Sequence, residues 1–268
     1  MVIKAIKKQQ EPMPLLRSDA GGVVKLTLDR PQARNSLSTG LMAALQAELD
    51  QIRMAADTRV VVIAAMGDIF CAGHDLREIR ANPSQEAYQA LFNQCARLMV
   101  SIVELPQPVI AQVQGMATAA GCQLVASCDL AVAGMSARFC TPGVHIGLFC
   151  STPMVALSRN VSRKAAMEML LTGESVDAKV AQNWGLVNRV VADAKLDQEV
   201  DNLCTKIAEK SPLTISTGKQ AFYRQIEMGL DEAYDYASQV MTENMLAKDA
   251  EEGIDAFLQK RPPVWCGK

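Results

Sequence analysis

Residues 115–130 read GMATAAGCQLVASCDL. They join two short apolar runs through a cluster of small residues and a helical pattern. VIAQVQGMA (109–117) has the near-continuous apolar character of a strand covered on both faces. Ala119, Ala120 and Gly121 then make a tight turn possible, and AAGCQLVASCDLAVAG runs from a helix into a further buried strand. A strand, a helix and another strand in immediate succession argue for a parallel sheet with crossover helices.

The same alternation extends towards the N-terminus. GVVKLTLDR (22–30) alternates apolar and polar residues after a Gly-Gly turn and reads as a strand. RPQARN follows as a loop, and STGLMAALQAELDQIRMAA has apolar residues at helical spacing with Ser38 or Thr39 as N-cap. RVVVIAAMG (59–67) reads as a second buried strand. DIFCAGHDLREIR is a loop entering a helix, and residues 85–104 form a helix that LPQP ends. Beyond about Pro153 the pattern is mainly helical. Three segments result: a tail over residues 1–14, an α/β core over 15–200 and a helical C-terminal region over 201–268.

Bulk properties exclude several classes. The 268 residues suffice for a large α/β core, and hydrophobic residues at 49% with aromatics at 4% predict an aliphatic one. Twenty-seven basic and 29 acidic residues leave no basic run for nucleic acid. The apolar runs are too short for a membrane span, and MVIKAIKKQQEP lacks the apolar segment of a secretory signal. Eight scattered cysteines form no CxxC pair and read as reduced thiols, mostly in the core. Neither metal-ligand spacing nor a dinucleotide fingerprint occurs, so no metal and no cofactor are expected.

Two loops carry the chemistry. CAGHDL (71–76) and the turn ATAAGCQL each follow a buried strand and lead into a helix N-terminus, where backbone N–H groups lack partners. Two such groups converging on one point make an oxyanion hole. Small residues there permit close approach of a ligand carbonyl, or simply make tight turns.

Taken in order, LDRPQARNSLS, FCAGHDLREI, PVIAQVQGMATAAGCQLVASCDLAVA, RKAAMEMLLTGESVDAKVAQNWGLVNRVV and EEGIDAFLQKR resemble the crotonase superfamily, the enoyl-CoA hydratases and isomerases, across residues 15–265. The resemblance implies the crotonase (ClpP-like) spiral of ββα units with a helical C-terminal region, assembled as a homotrimer or a dimer of trimers. It also implies an acyl-CoA thioester as substrate or ligand. Its oxyanion donors map to the amides of His74 and Ala120. Ala72, Asp75, Leu76 and Arg77 line the CoA arm, Gln32 and Arg34 lie near the adenosine end, and Phe257 and Lys260 supply contacts from the C-terminal helices. The arginines and Lys260 read equally as plain surface residues.

The chain departs from the family pattern where the hydratases carry two glutamates. One position is Gln123, the other Gly143. Glutamine has no proton to exchange near neutral pH, glycine has no side chain, and general acid–base catalysis needs a titratable group. Candidate substitutes lie in PGVHIGLFCSTP (142–153). His145 shares a face with position 143 if the segment is a strand, or hydrogen-bonds elsewhere if the chain turns. Ser151 orients water or substrate, or caps the helix PMVALSRN. Cys122, Cys140 and Cys150 flank the region, with His145 as the one imidazole able to activate them. The ring of His74 covers the pocket mouth. The segment 139–153 is similar to one subgroup that lacks both glutamates.

Three readings remain: an acyl-CoA enzyme with non-standard proton carriers, a weakly active or inactive thioester-binding protein, and a hydratase using other residues. Expected location is cytoplasmic, or mitochondrial in a eukaryote.

Overall fold

The computed structural model describes residues 14–268. The tail expected over residues 1–14 lies outside them except for Pro14, whose carbonyl accepts the Asp29 amide at 2.9 Å. Six strands form a large sheet: β1 (Leu15–Ala20), β2 (Val23–Leu28), β3 (Val60–Ala65), β4 (Val109–Val113), β6 (Leu130–Gly134) and β9 (Arg189–Val191), in that order. The β1–β2 hairpin is antiparallel, turning through Gly21 (φ 57) and Gly22 (φ 79), and the other pairings are parallel. A second sheet joins β5 (Met116–Thr118), β7 (Arg138–Cys140) and β8 (Val176–Asp177).

The run 109–117, read as one strand, is two. Gly115 turns the chain at φ 59, where an added Cβ would overlap the Asp68 carbonyl. The turn carries the backbone from the large sheet to the small one. β4–β5 and β6–β7 each place one strand in either sheet before a helix, so the expected ββα units are present.

Eleven helices are described: α1 (Thr39–Arg53), α2 (Leu76–Ala81), α3 (Gln85–Val103), α4 (Ala120–Ser127), α5 (Pro153–Asn160), α6 (Arg163–Thr172), α7 (Ala178–Trp184), α8 (Leu196–Ala208), α9 (Pro212–Gln225), α10 (Leu230–Met245) and α11 (Lys248–Leu258). Ser38, not Thr39, caps α1, accepting the Leu41 amide at 3.1 Å. Leu41, Leu45, Leu49 and Ile52 form its buried stripe at helical spacing.

The apolar β3 needs cover on both faces. Val61 and Ile63 face the main core with α1 and α3, while Val60, Val62 and Ala64 face Leu196, Val200, Leu203 and Cys204 of α8. α8 therefore crosses the expected boundary at residue 200, because the second face of the sheet has to be buried. The core is aliphatic, with Phe70 and Phe139 its largest fully buried side chains. In α9 and α10 no residue is buried, and Phe222, Ile226, Leu230, Tyr234, Met241 and Met245 are exposed.

The C-terminal region is fastened by two polar clusters. Lys219 of α9 reaches Asp129 at 2.7 Å and donates to the Ile102 and Gln107 carbonyls, both at 3.0 Å. Asp249 of α11 accepts from Ser211 (2.5 Å) and from the Cys266 and Gly267 amides. Among the described residues no helix is long and apolar enough to cross a membrane, and no group of three His, Cys, Asp or Glu is placed to hold a metal.

Candidate active site

Three loops meet beyond the C-terminal ends of β2, β3 and β4. In the first, Pro31–Ala33 forms a single 3-10 turn, and Arg34 and Asn35 both adopt left-handed backbone (φ 54 and 51). Asparagine tolerates that conformation better than most residues. Asn35 is fully buried, donates to the Met66 and Ile69 carbonyls at 2.8 and 2.7 Å, and accepts the Arg30 amide at 2.9 Å. Sequence reasoning missed this residue. Its only signal was an asparagine in a polar loop.

The second loop, 71–77, pairs with the first through a parallel bridge between Leu37 and His74 and a bond from the Ala72 amide to the Arg34 carbonyl at 3.1 Å. The Asp75 carboxylate faces into this junction. It caps α2 through the Arg77 amide (3.1 Å), pairs with Arg30 (3.2 Å) and accepts from Ser36 (3.3 Å). Burial pushes the Asp75 carboxyl up, but those partners outweigh it and hold it below the usual carboxylate range. Glu78 points at α1, accepting the Thr39 amide at 2.8 Å. Both carboxylates nearest the site thus serve the loop scaffold.

The third loop is the turn before α4. Cys71 and Ala117 form a parallel bridge, and the Thr118 amide donates to the Cys71 carbonyl at 2.9 Å. Gly73 (φ 83) lies so close that a Cβ there would sit 3.0 Å from Ala119 Cβ and 3.3 Å from the Ala120 nitrogen. A Cβ on Gly121 would overlap the Cys71 carbonyl. These glycines serve loop-on-loop packing, which is a different use from admitting a ligand. Ala119 holds φ 51 and ψ −118, a backbone conformation costly for any residue with a Cβ.

Backbone donors are left over at this junction. Among the described residues neither the His74 nor the Ala120 amide donates a hydrogen bond. Ala120 is the first residue of α4, so its N–H has no intrahelical acceptor and sits at the positive end of the helix dipole. Ala120 is 1% exposed, so its unpaired donor lies at a buried surface.

The positions expected to matter for proton transfer behave differently. Gln123 lies within α4, 4% exposed, with its Oε1 4.0 Å from the Cys95 thiol. Burial pushes Cys95 up to about 12. Gly143 is buried, and a Cβ there would come within 2.7 Å of the Leu148 carbonyl and 2.9 Å of Cys150 Sγ. No side chain fits without rearrangement.

Residues 142–146 are a 3-10 turn, not a strand, so His145 does not share a face with position 143. Its Nε2 is exposed and bonded to the Thr172 carbonyl at 2.9 Å, the outward alternative read from the sequence. Ser151 does not cap α5. Its hydroxyl donates to the Phe149 carbonyl at 3.3 Å, and Thr152 takes the cap position without a side-chain bond. Burial raises the Cys122, Cys140 and Cys150 thiols, and none is bonded to His145, so the arrangement holds no Cys–His pair. Seven of the eight thiols are buried and Cys266 is exposed. All are free.

Gln32, Arg34, Leu76 and Arg77 form an exposed rim on the first two loops, and Ala72 is half-buried beneath them. Phe257 in α11 and Lys260 just beyond it are exposed. An open cavity between the end of α1, the start of α9 and Trp265 lies apart from the three loops.

Comparison with known proteins matches residues 18–268 to the enoyl-CoA hydratase/isomerase family. Enoyl-CoA hydratase domain-containing protein 3, mitochondrial, of Xenopus laevis is 46% identical over 96% of this chain and 87% of its own. The crystal structure of the human protein of that name is 45% identical, covers 94% of this chain and 100% of that one, and superposes with a TM-score of 0.92. A crystal structure of an enoyl-CoA hydratase from Mycobacterium smegmatis is 54% identical, covers 95% of this chain and 99% of its own, and gives a TM-score of 0.93. Enoyl-CoA hydratase domain-containing protein 3 is the subgroup that segment 139–153 resembles.

Proposed function

The chain belongs to the enoyl-CoA hydratase/isomerase family, and from that premise we propose that it binds an acyl-CoA thioester through the amides of His74 and Ala120 and processes it without the two glutamates of the hydratases. The observation that carries this reading is the pair of unpaired donors on two loops in van der Waals contact. A thioester oxygen that gains negative charge is stabilised by such donors, and removing one oxyanion donor elsewhere costs about 10²–10³ in kcat. Gln32, Arg34 and Arg77 form the exposed rim for the CoA arm, with Phe257 and Lys260 as contacts contributed within a trimer. Relatives named mitochondrial support that compartment for a eukaryotic chain of this kind.

A second reading has its own support. Gln123 has no group that titrates near neutral pH and position 143 is filled by its neighbours, which favours a protein that holds a thioester without rapid turnover. The discriminating experiment is crotonyl-CoA hydration, with thioester binding measured on the same preparation. Binding without hydration supports either the non-standard enzyme or the holding protein. Fast hydration that survives Gln123→Ala assigns the protons to another group. Absence of thioester binding removes the proposal.

A further inference from the structure

The cavity between the end of α1, the start of α9 and Trp265 holds about 460 Å³, within the usual range for a small-molecule site. It lies at the N-terminal end of the large sheet, since Arg59 directly precedes β3 and Pro108 directly precedes β4. The loops of the candidate active site meet at the opposite ends of the same strands. Arg53, Arg59 and Lys210 line the cavity and no Asp or Glu does, in a chain whose charges nearly balance. Among the described residues none of the three cations forms a salt bridge. Asp57, Glu104 and Glu209, the acids nearest in sequence, are exposed and stand outside the lining. Arg53 Nη1 donates to the Glu104 carbonyl at 3.2 Å, and Arg59 Nη2 donates to the Ala208 carbonyl at 3.2 Å and to the Lys210 carbonyl. These bonds hold both guanidinium groups in place. They use one nitrogen of each, and the other two have no acceptor among the described residues. The field of Arg53 also reaches inward. Burial lowers the pKa of Lys219, Asp129 opposes that shift, and Arg53 adds to it.

Beside the cations stands a fixed aromatic wall. The Trp265 Nε1 donates to the Glu209 carbonyl at 2.8 Å, and the six-membered ring lies against Gly253 of α11, where an added Cβ would sit 3.2 Å from it. Pro106 and Pro212 continue the apolar lining. A rigid indole suits a flat ring, and guanidinium groups held in place suit phosphate oxygens. We propose that this cavity is a second ligand site, taking a small anion that joins a flat heterocycle to a phosphate group, as a nucleoside monophosphate does. The inference stands apart from the thioester reading. Arg53 and Arg59 belong to the α/β core, whereas Lys210 and Trp265 belong to the C-terminal region. A ligand touching all four ties the two regions together and stabilises the fold by mass action.

The test is titration of the full chain with AMP, read by tryptophan fluorescence excited beyond the adenine band. Trp184 is the only other tryptophan. Saturable quenching by AMP is expected, and adenosine, which lacks the phosphate, is expected to bind at least about 10-fold more weakly. Trp265→Phe is expected to lose the quenching. Arg53 and Lys210 are exposed, and Arg53→Glu combined with Lys210→Glu is expected to weaken AMP by about 10–100-fold. AMP is expected to raise the thermal midpoint of the unmodified chain, and saturating butyryl-CoA to leave its affinity unchanged. If the double variant fails to fold, Lys210→Gln alone is expected to weaken AMP by about 3–10-fold. No saturable quenching up to about 10 mM AMP overturns the site. So does equal affinity for adenosine, or unchanged affinity in the charge variants. Displacement of AMP by butyryl-CoA also overturns it, because the nucleotide then occupies the thioester site.

Discussion

Around Ala120 the chain leaves backbone N–H groups without partners, whereas around Gly143 it closes every gap with its own atoms. The two regions lie a short loop apart in the fold, since the Ala119 amide donates to the Cys140 carbonyl at 2.9 Å. One is held open at a cost: a strained Ala119 and an unsatisfied donor. The other is filled by the Leu148 carbonyl and Cys150. Their difference teaches that filling one position with packing and leaving backbone donors free at another are independent choices of the fold. Position 143 is taken up by packing, and the His74 and Ala120 amides are not.

Three substitutions break or sharpen that contrast. The largest effect is expected from Gly121→Ala. Its methyl would overlap the Cys71 carbonyl and push the second loop from the third, costing about 3 kcal/mol in urea denaturation and abolishing thioester binding. If binding survives intact, the contact between the loops does not position the donors.

Gly143→Glu comes next and addresses the filled side. Restoring the family's carboxylate meets the Leu148 carbonyl and Cys150 Sγ, so a loss of roughly 1–3 kcal/mol is expected, with no gain in crotonyl-CoA hydration. A variant that folds as well as the parent and hydrates would show that the pocket is latent and not closed.

Ala119→Gly has the smallest effect and the opposite sign. Relief of the φ 51 strain outweighs the added freedom of the unfolded glycine, and the midpoint of urea denaturation should rise by the equivalent of about 1 kcal/mol. A drop in stability would mean that the Ala119 methyl, which faces Gly73, contributes more by packing than it costs in strain.

Much of the fold was legible because it rests on local patterns. The alternation in Val23–Leu28, the apolar run of Val60–Ala65 and the stripe Leu41-Leu45-Leu49-Ile52 each follow a fixed period, and each appears where that period places it. The break at Gly115 was not legible, because VIAQVQGMA stays apolar across it and only the Asp68 carbonyl reveals why a glycine is needed. Nor was the direction of His145: a strand and a 3-10 turn read alike over five residues, and the Thr172 carbonyl that fixes the ring is distant in sequence. Asn35 escaped notice for the same reason, since its partners Met66 and Ile69 belong to another loop.

What the residues determine by themselves is the architecture of alternating strands and helices, the family, and the chemical deficit at Gln123 and Gly143. All three depend on residue type and on spacing along the chain. What only the tertiary structure decided is which backbone donors stay unpaired and why position 143 admits no side chain. Those are properties of atoms brought together from distant segments, and a hydrogen bond left unmade is visible only when every available acceptor has been placed.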